Sequence, residues 1–199
     1  MTPVREALDL LVAAGLAERV PYRGVRVREM STRDIADAYG LRLVLESLIA
    51  REAANNITPR QIAGLEDMLS EMKKHVTLQD MPLARQMSRE FHSAIADASG
   101  NELLIKLYAV VANAFPDWLL YEALFRNPEL LSDTMNTTHL EHVGIVEALK
   151  KGETEQTIQA SIQHLMESGK WLEVYLNIPA ALLREKEEQC SLLIKRAKK

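Results

Sequence analysis

Apolar residues recur about every 3.6 residues along almost the whole chain from Ser31 onward. Such a pattern favours a stack of amphipathic helices, each directing one apolar stripe at a common core. Capping residues, glycines and prolines divide the pattern into segments. The expected helices cover residues 31–54, 58–75, 80–100, 102–125, 137–151, 153–176 and the stretch after 179. The sequence therefore predicts an all-α antiparallel bundle of six to seven helices.

Four features set the expected boundaries more closely. Gly40 is expected to interrupt the first helix and bend it. Asp80 is expected to cap the third helix with its side chain. Pro116 lacks an N–H group, so it is expected to kink or split the fourth helix. The fifth helix is expected to open at Thr137 or Thr138.

Composition limits the class of protein. A chain of 199 residues with 47% hydrophobic residues can bury one core and still form a small second module. Its formal net charge of −4 means that any contact with nucleic acid must come from a local basic patch. The single cysteine, Cys190, cannot form an internal disulfide. The chain shows no signal peptide and no apolar run near the roughly 18 residues that span a bilayer, so a cytoplasmic protein without membrane contact is expected.

The first 29 residues have a different pattern. Thr2 and Pro3 are typical of a helix start, and apolar residues follow at helical spacing until Gly15. Residues 16–28 then predict a short β-hairpin in which Val25 and Val27 share one face. A helix followed by a basic hairpin is the order found in the winged half of a winged helix-turn-helix. We therefore expect a partial winged-helix domain at residues 1–29 and a helical domain at residues 30–199.

Three histidines, His92, His142 and His164, lie in the middle of predicted helices beside apolar neighbours. Neutral imidazoles are the usual nitrogen ligands of Zn²⁺ and Ni²⁺. Three of them would leave a coordination position open for water or a ligand. The alternative is that each ring is a hydrogen-bonded structural residue of the bundle.

Arg42 lies close to the apolar stripe of the first long helix, and a guanidinium in such a place needs an anionic partner. One partner is Glu46, which follows by one turn. The other is an acidic residue of a neighbouring helix.

Two groups of residues resemble the GntR family of transcriptional regulators. The first group is similar to the C-terminal half of their winged-helix domain and comprises residues 2–8, Leu11, Gly15, Leu16 and residues 23–27. The second group is similar to the effector domain of the FadR subgroup, called the FCD domain. It comprises Tyr39, Arg42, Leu45, Glu46, Phe91, His92, residues 98–101, His142, Ile145, Ala148, Leu149, Gly152 and His164.

The resemblance implies a ligand-responsive regulator that forms a homodimer, binds operator DNA and responds to a small organic acid. It also implies a divalent metal, most simply Zn²⁺ or Ni²⁺, held by His92, His142 and His164. Metal-binding members of the family have Asp four residues before the first of these histidines, where this chain has Ser88. The loss of that anionic ligand predicts a weaker metal site.

The resemblance assigns further site residues. Arg42 and Arg85 are expected to bind the carboxylate of the effector. The residues expected to contact DNA are Thr2, Arg5, Arg23, Gly24 and Arg26.

Family members carry two more helices before the segment that begins at Thr2, and the sequence as given does not include them. Little sequence-specific DNA binding is therefore expected from this chain, and the alternative function is a stand-alone effector or metal sensor. A helical metalloenzyme is the third class, because an open metal site can activate water. The sequence contains no recognised motif that pairs an acidic residue as a general base, and it lacks the Glu-x-x-His spacing of diiron bundles. No enzymatic activity is therefore predicted.

Overall fold

The computed structural model describes residues 3–13, 17–27, 30–114 and 117–196. Helix α1 (Pro3–Ala13) is followed by an antiparallel hairpin of β1 (Ala17–Val20) and β2 (Gly24–Val27). The helical region then comprises α2 (Thr32–Asn56), α3 (Pro59–Met72), α4 (Met81–Ala98), α5 (Glu102–Ala114), α6 (Asp117–Arg126), α7 (Leu131–Lys151), α8 (Thr154–Leu176) and α9 (Ala180–Arg196). Short 3-10 turns at Leu78–Asp80 and Pro128–Leu130 lead into α4 and α7.

The predicted all-α bundle is confirmed. Within the described residues eight α-helices follow the hairpin, because the fourth expected helix is divided into α5 and α6. Helix α5 ends at Ala114 and α6 begins at Asp117, and Pro116, where a kink or split is expected, lies outside the described residues.

Several expected boundaries are wrong. Helix α7 begins at Leu131 instead of Thr137 or Thr138, because buried Leu131 and Thr134 extend its inner face by two turns. Helix α3 ends at Met72, three residues before the expected end. Asp80 does not cap α4 with its side chain, since its carboxylate accepts hydrogen bonds from Thr77 instead.

Gly40 does not interrupt α2, which continues from Thr32 to Asn56. The residue instead permits a close approach of α9, because a Cβ atom at Gly40 would lie 3.0 Å from Cδ of Lys186. The amino group of Lys186 in turn lies 2.7 Å from the carboxylate of Asp37 on α2. Gly40 therefore serves packing between helices.

Helix α2 is the centre of the bundle and packs against α4, α5, α8 and α9. A capping box between Ser31 and Asp34 fixes its start. Its buried residues join two apolar clusters, one with α3, α4, α5 and α7 and the other with α8 and α9. At the second cluster Tyr39 is fully buried and donates a hydrogen bond of 2.7 Å to Glu187. Its ring packs against Gly169, where an added Cβ would lie 2.6 Å from the phenol oxygen.

The N-terminal helix and the hairpin contact each other. Ala17 on β1 is buried and faces Val27 across the hairpin. Gly24 begins β2 with a φ of +92°, a left-handed conformation that favours glycine. An ion pair between Arg19 and Asp9 joins β1 to α1. The expected positions of Thr2, Gly15, Leu16 and Arg28 lie outside the described residues.

Among the helices of the described ranges, none combines the length and the apolar character needed to cross a membrane.

Candidate metal centre and ligand cavity

The three histidines converge at one place between three helices. His92 is on α4, His142 on α7 and His164 on α8, and one ring nitrogen from each lies within 4.8 Å of those of the others. The Nε2 atoms of His92 and His164 are 3.2 Å apart. Each ring sits on the inner side of its helix, as the helical spacing of the apolar residues around it predicts. The expected convergence of the imidazoles is thus found in the structure.

His142 is the most deeply placed of the three rings. Its side chain is 0% exposed and its ring lies 4.5 Å from that of Phe91. Neither ring nitrogen has a hydrogen-bond partner within the part of the chain that the structure describes. A buried polar atom without a partner costs free energy, so these nitrogens are suited to bind a ligand at the centre.

Two carboxylates flank the other two rings. Glu141, next to His142 in α7, places Oε2 2.8 Å from Nδ1 of His164. Glu46 on α2 places Oε2 4.0 Å from Nδ1 of His92. Both nitrogens point away from the space between the rings, so the Nε2 atoms face inward.

Glu46 is held by Arg42. Nε of Arg42 donates a hydrogen bond of 2.8 Å to Oε1 of Glu46. Nη2 lies 2.8 Å from the same oxygen, and both side chains are about nine-tenths buried. The ion pair that the sequence offers as one alternative is therefore present. Because Arg42 also lines the cavity described below, the effector contact that the family resemblance implies is kept as a proposal.

Burial keeps the rings of His92 and His142 neutral. The pKa of His92 lies well below 6.5, first because burial penalises the imidazolium and then because His142, His164 and Arg42 repel a further positive charge. The pKa of His142 is likewise lowered well below 6.5 by burial and by the neighbouring His164 and His139. Unprotonated nitrogens are what a metal ion requires from a histidine.

The spacing of the donors fits a first-row metal ion. Two nitrogens bound to tetrahedral Zn²⁺ at about 2.0–2.1 Å lie about 3.3–3.4 Å apart, close to the 3.2 Å between the rings of His92 and His164. Three imidazoles suit Zn²⁺ and Ni²⁺ and do not suit Mg²⁺ or Ca²⁺, which prefer oxygen. The donor set and the unsatisfied nitrogens of His142 therefore fit the predicted ion.

A cavity of about 440 Å³ lies beside the centre, and two of the three rings, those of His92 and His164, line it. Arg42, Ser88, His92 and His164 line it, so four of the predicted site residues share one space. Ser88 lies one turn before His92 on α4 and offers a neutral oxygen at this wall. Arg85, the second predicted effector residue, lies on α4 but does not line this cavity.

The cavity also contains groups that the sequence analysis did not assign to it. Glu141 lines it beside His164, and the stacked rings of Trp171 and Tyr175 form part of its wall. Further polar lining comes from Arg89, Thr134, Thr137, Thr138, Ser168 and Lys170. Trp171 and Tyr175 lie four residues apart, so the sequence could have predicted that they share one face of α8. Glu141 could not have been found in this way, because its sequence context is that of any solvent-exposed acid in a helix.

The residues predicted to bind DNA lie on α1 and the hairpin, and Thr2 lies outside the described residues. Arg5, Arg23 and Gly24 are exposed. Arg26 is exposed as well, and its Nε lies 2.5 Å from the carboxylate of Glu18. The guanidinium groups of Arg5, Arg23 and Arg26 therefore lie at the surface, and Glu18 partly neutralises the charge of Arg26.

Residues 37–167 match the FCD domain family. The Escherichia coli regulator McbR is 29% identical over 157 residues, covering 78% of this chain and 68% of McbR. A probable D-xylose utilization operon transcriptional repressor from Paenarthrobacter nicotinovorans is 28% identical over 164 residues, covering 82% of this chain and 69% of the repressor.

The chain belongs to the FCD-domain family of GntR-type transcriptional regulators. The solved structure of Escherichia coli McbR/YncC has the same fold, with a TM-score of 0.71 at 20% identity, and covers 85% of this chain and 78% of that structure. The matched relatives are named as regulators of transcription and not as enzymes. Their names confirm the prediction that this FCD-family chain is a regulator without enzymatic activity.

Proposed function

We propose that this FCD-family chain regulates transcription in response to a small organic acid bound in the cavity beside His92, His142 and His164. The single observation that carries the proposal is the convergence of three imidazoles, of which those of His92 and His164 line a cavity of about 440 Å³. A cavity of this volume accommodates a small metabolite.

In this proposal the three histidines hold a divalent ion, Zn²⁺ or Ni²⁺, inside the bundle. When bound, the ion supplies a positive charge with coordination positions open toward the cavity, which suits a carboxylate. Arg42 completes the anion site, because its guanidinium lies at the cavity wall and carries a fixed positive charge. Ser88 adds a hydroxyl without charge, so we propose it as a weak ligand.

We further propose that residues 1–29 belong to the DNA-binding domain and residues 30–199 form the effector domain. Arg5, Arg23 and Arg26 would bind the phosphate backbone of operator DNA or the edges of its bases. Effector binding alters DNA binding only if the acid binds one arrangement of the two domains better than the other.

A homodimer is also proposed. Helix α5 presents Leu103, Leu107 and Val110 on one outer face, where they are 67%, 47% and 67% exposed. Their spacing of four and three residues forms a continuous apolar stripe that a second copy of the chain would cover. Light scattering should report a dimer for the purified chain and a monomer for Leu107→Glu, whereas a monomeric wild-type chain would contradict this part.

The metal part is tested on the purified chain after treatment with EDTA. Titration with Zn²⁺ or Ni²⁺ should give one ion per chain and raise the midpoint of thermal unfolding. His142→Asn should abolish the effect, whereas His75→Asn, which alters a half-buried ring outside the centre, should leave it unchanged. A wild-type chain that takes up neither ion would refute the metal part.

The effector part is tested with a panel of small mono- and dicarboxylates on the metal-loaded chain. The best ligand should bind more than tenfold more weakly to Arg42→Lys. This variant keeps the charge beside Glu46 but loses the planar fork. Arg33→Lys is the matched control on α2, because Arg33 is 72% exposed and lies outside the cavity lining. If Arg42→Lys binds the ligand as tightly as wild type, Arg42 does not bind the effector and its role is the ion pair with Glu46.

A further inference from the structure

The contact between Glu141 and His164 determines where the proton of His164 lies. Oε2 of Glu141 is 2.8 Å from Nδ1 of His164, and an ionised carboxylate can only accept a hydrogen bond. Nδ1 must therefore carry the hydrogen atom. When the ring is neutral, the lone pair is on Nε2, which faces the other rings.

The position of that lone pair determines the neighbouring ring as well. Nε2 of His164 lies 3.2 Å from Nε2 of His92, within hydrogen-bond distance. Since Nε2 of His164 accepts, Nε2 of His92 must donate in the chain without metal. Glu46 does not oppose this arrangement, because its carboxylate is 4.0 Å from Nδ1 of His92 and is bonded to Arg42.

The two carboxylates therefore differ in what they can do. Glu46 is neutralised by the guanidinium of Arg42. Glu141 is 18% exposed, and His164 is its hydrogen-bond partner in the described part of the chain. Asp133 and Glu167 also line the cavity, but Glu141 is the carboxylate with a hydrogen bond to a ring of the donor set among the described residues.

We infer that Glu141 is the positioning residue of the centre: it holds the proton of His164 on Nδ1 and thereby directs the Nε2 lone pair toward His92 and His142. The inference rests on the proposed function in that this lone pair is the one offered to a metal ion. A carboxylate that accepts from the outer nitrogen also orients the ring and makes the inner nitrogen a stronger donor.

The first test needs no metal. The chain is labelled with ¹⁵N-histidine, treated with EDTA, and studied at pH 8 by long-range ¹H–¹⁵N correlation spectroscopy, which distinguishes protonated from bare ring nitrogens. Single His→Asn variants assign the signals. We expect hydrogen on Nδ1 of His164 and on Nε2 of His92. Hydrogen on Nε2 of His164 would overturn the inference.

Variants separate the two effects of Glu141. Glu141→Gln keeps an oxygen that can accept from Nδ1, so the proton should remain there. Glu141→Leu removes the acceptor, and His164 should populate both tautomers. Glu147→Leu changes an exposed acid on the same helix and should leave the spectrum unchanged. An unchanged His164 signal in Glu141→Leu, with the wild-type fold retained by circular dichroism, would overturn the inference.

The second test measures Zn²⁺ and Ni²⁺ affinity by competition with a chromophoric chelator. Loss of an outer-shell partner typically weakens binding by about 10–100-fold, which is the expectation for Glu141→Leu, with a smaller loss for Glu141→Gln. Affinity within twofold of wild type in Glu141→Leu would overturn the inference. If the wild-type chain binds neither ion, the metal part of the proposed function fails, and the tautomer of His164 still decides the role of Glu141.

Discussion

Replacing His142 with leucine should change the stability of the chain in opposite directions with and without metal. A neutral imidazole has one donor and one acceptor, and in His142 both are buried without a partner among the described residues. Each buried donor or acceptor that is left without a hydrogen bond costs about 1–3 kcal/mol of stability. Leucine removes both costs at similar volume and forfeits about 0.5–1.5 kcal/mol of ring contact with Phe91.

The metal-free variant should therefore be more stable than wild type by about 0.5–5.5 kcal/mol. With a urea m-value of about 2 kcal/mol/M, the midpoint of unfolding in EDTA should rise by about 0.3–2.8 M. Zn²⁺ at about a hundred times its Kd should stabilise wild type by about 2.7 kcal/mol and leave the variant unchanged.

Two control variants sharpen the assay. His142→Asn keeps a polar group in the same place, so it should gain no stability in EDTA. The ring nitrogens of His75 lie near the carboxylates of Glu71 and Asp80, so they already have partners. The His75→Leu variant should therefore not be more stable than wild type. A leucine variant less stable than wild type in EDTA would refute the reasoning, because it would mean that the nitrogens of His142 are satisfied.

Three further predictions follow from the same structure. The pKa values of His92 and His142 lie below 6.5 in the folded chain, so the unfolded state binds more protons than the folded state below that pH. In EDTA the free energy of unfolding should therefore fall as the pH is lowered from about 6.5, by up to about 1.4 kcal/mol per pH unit for each ring. Gly169→Ala should destabilise by about 2–4 kcal/mol in urea unfolding, because its Cβ would overlap a buried phenol, whereas Gly64→Ala, with open space around it, should stabilise slightly. Ser88→Asp should tighten Zn²⁺ binding at least tenfold in chelator competition, since it adds an anionic ligand; unchanged affinity would place residue 88 outside the coordination sphere.

Much of the fold could be read from local patterns. The capping box at Ser31 and the apolar stripe that follows it predict the start of α2 within one residue. The start of α7 was missed because the 3-10 turn before it and the polar residues around Thr137 hide the buried Leu131 and Thr134. Polar residues in a helix are poor markers of its ends, since tertiary burial and not propensity decides where the helix begins.

By itself the sequence determined that His92, His142 and His164 lie on the inner faces of separate helices, because helical spacing places them among apolar neighbours. Only the tertiary structure decided which nitrogens meet. His92 and His164 are 72 residues apart in the chain, and their Nε2 atoms are 3.2 Å apart in space. Glu141 adjoins His142 in sequence but points about 100° away from it around α7, and therefore reaches His164 on α8. Helical periodicity is local, whereas such contacts depend on how the helices pack, which no local pattern encodes.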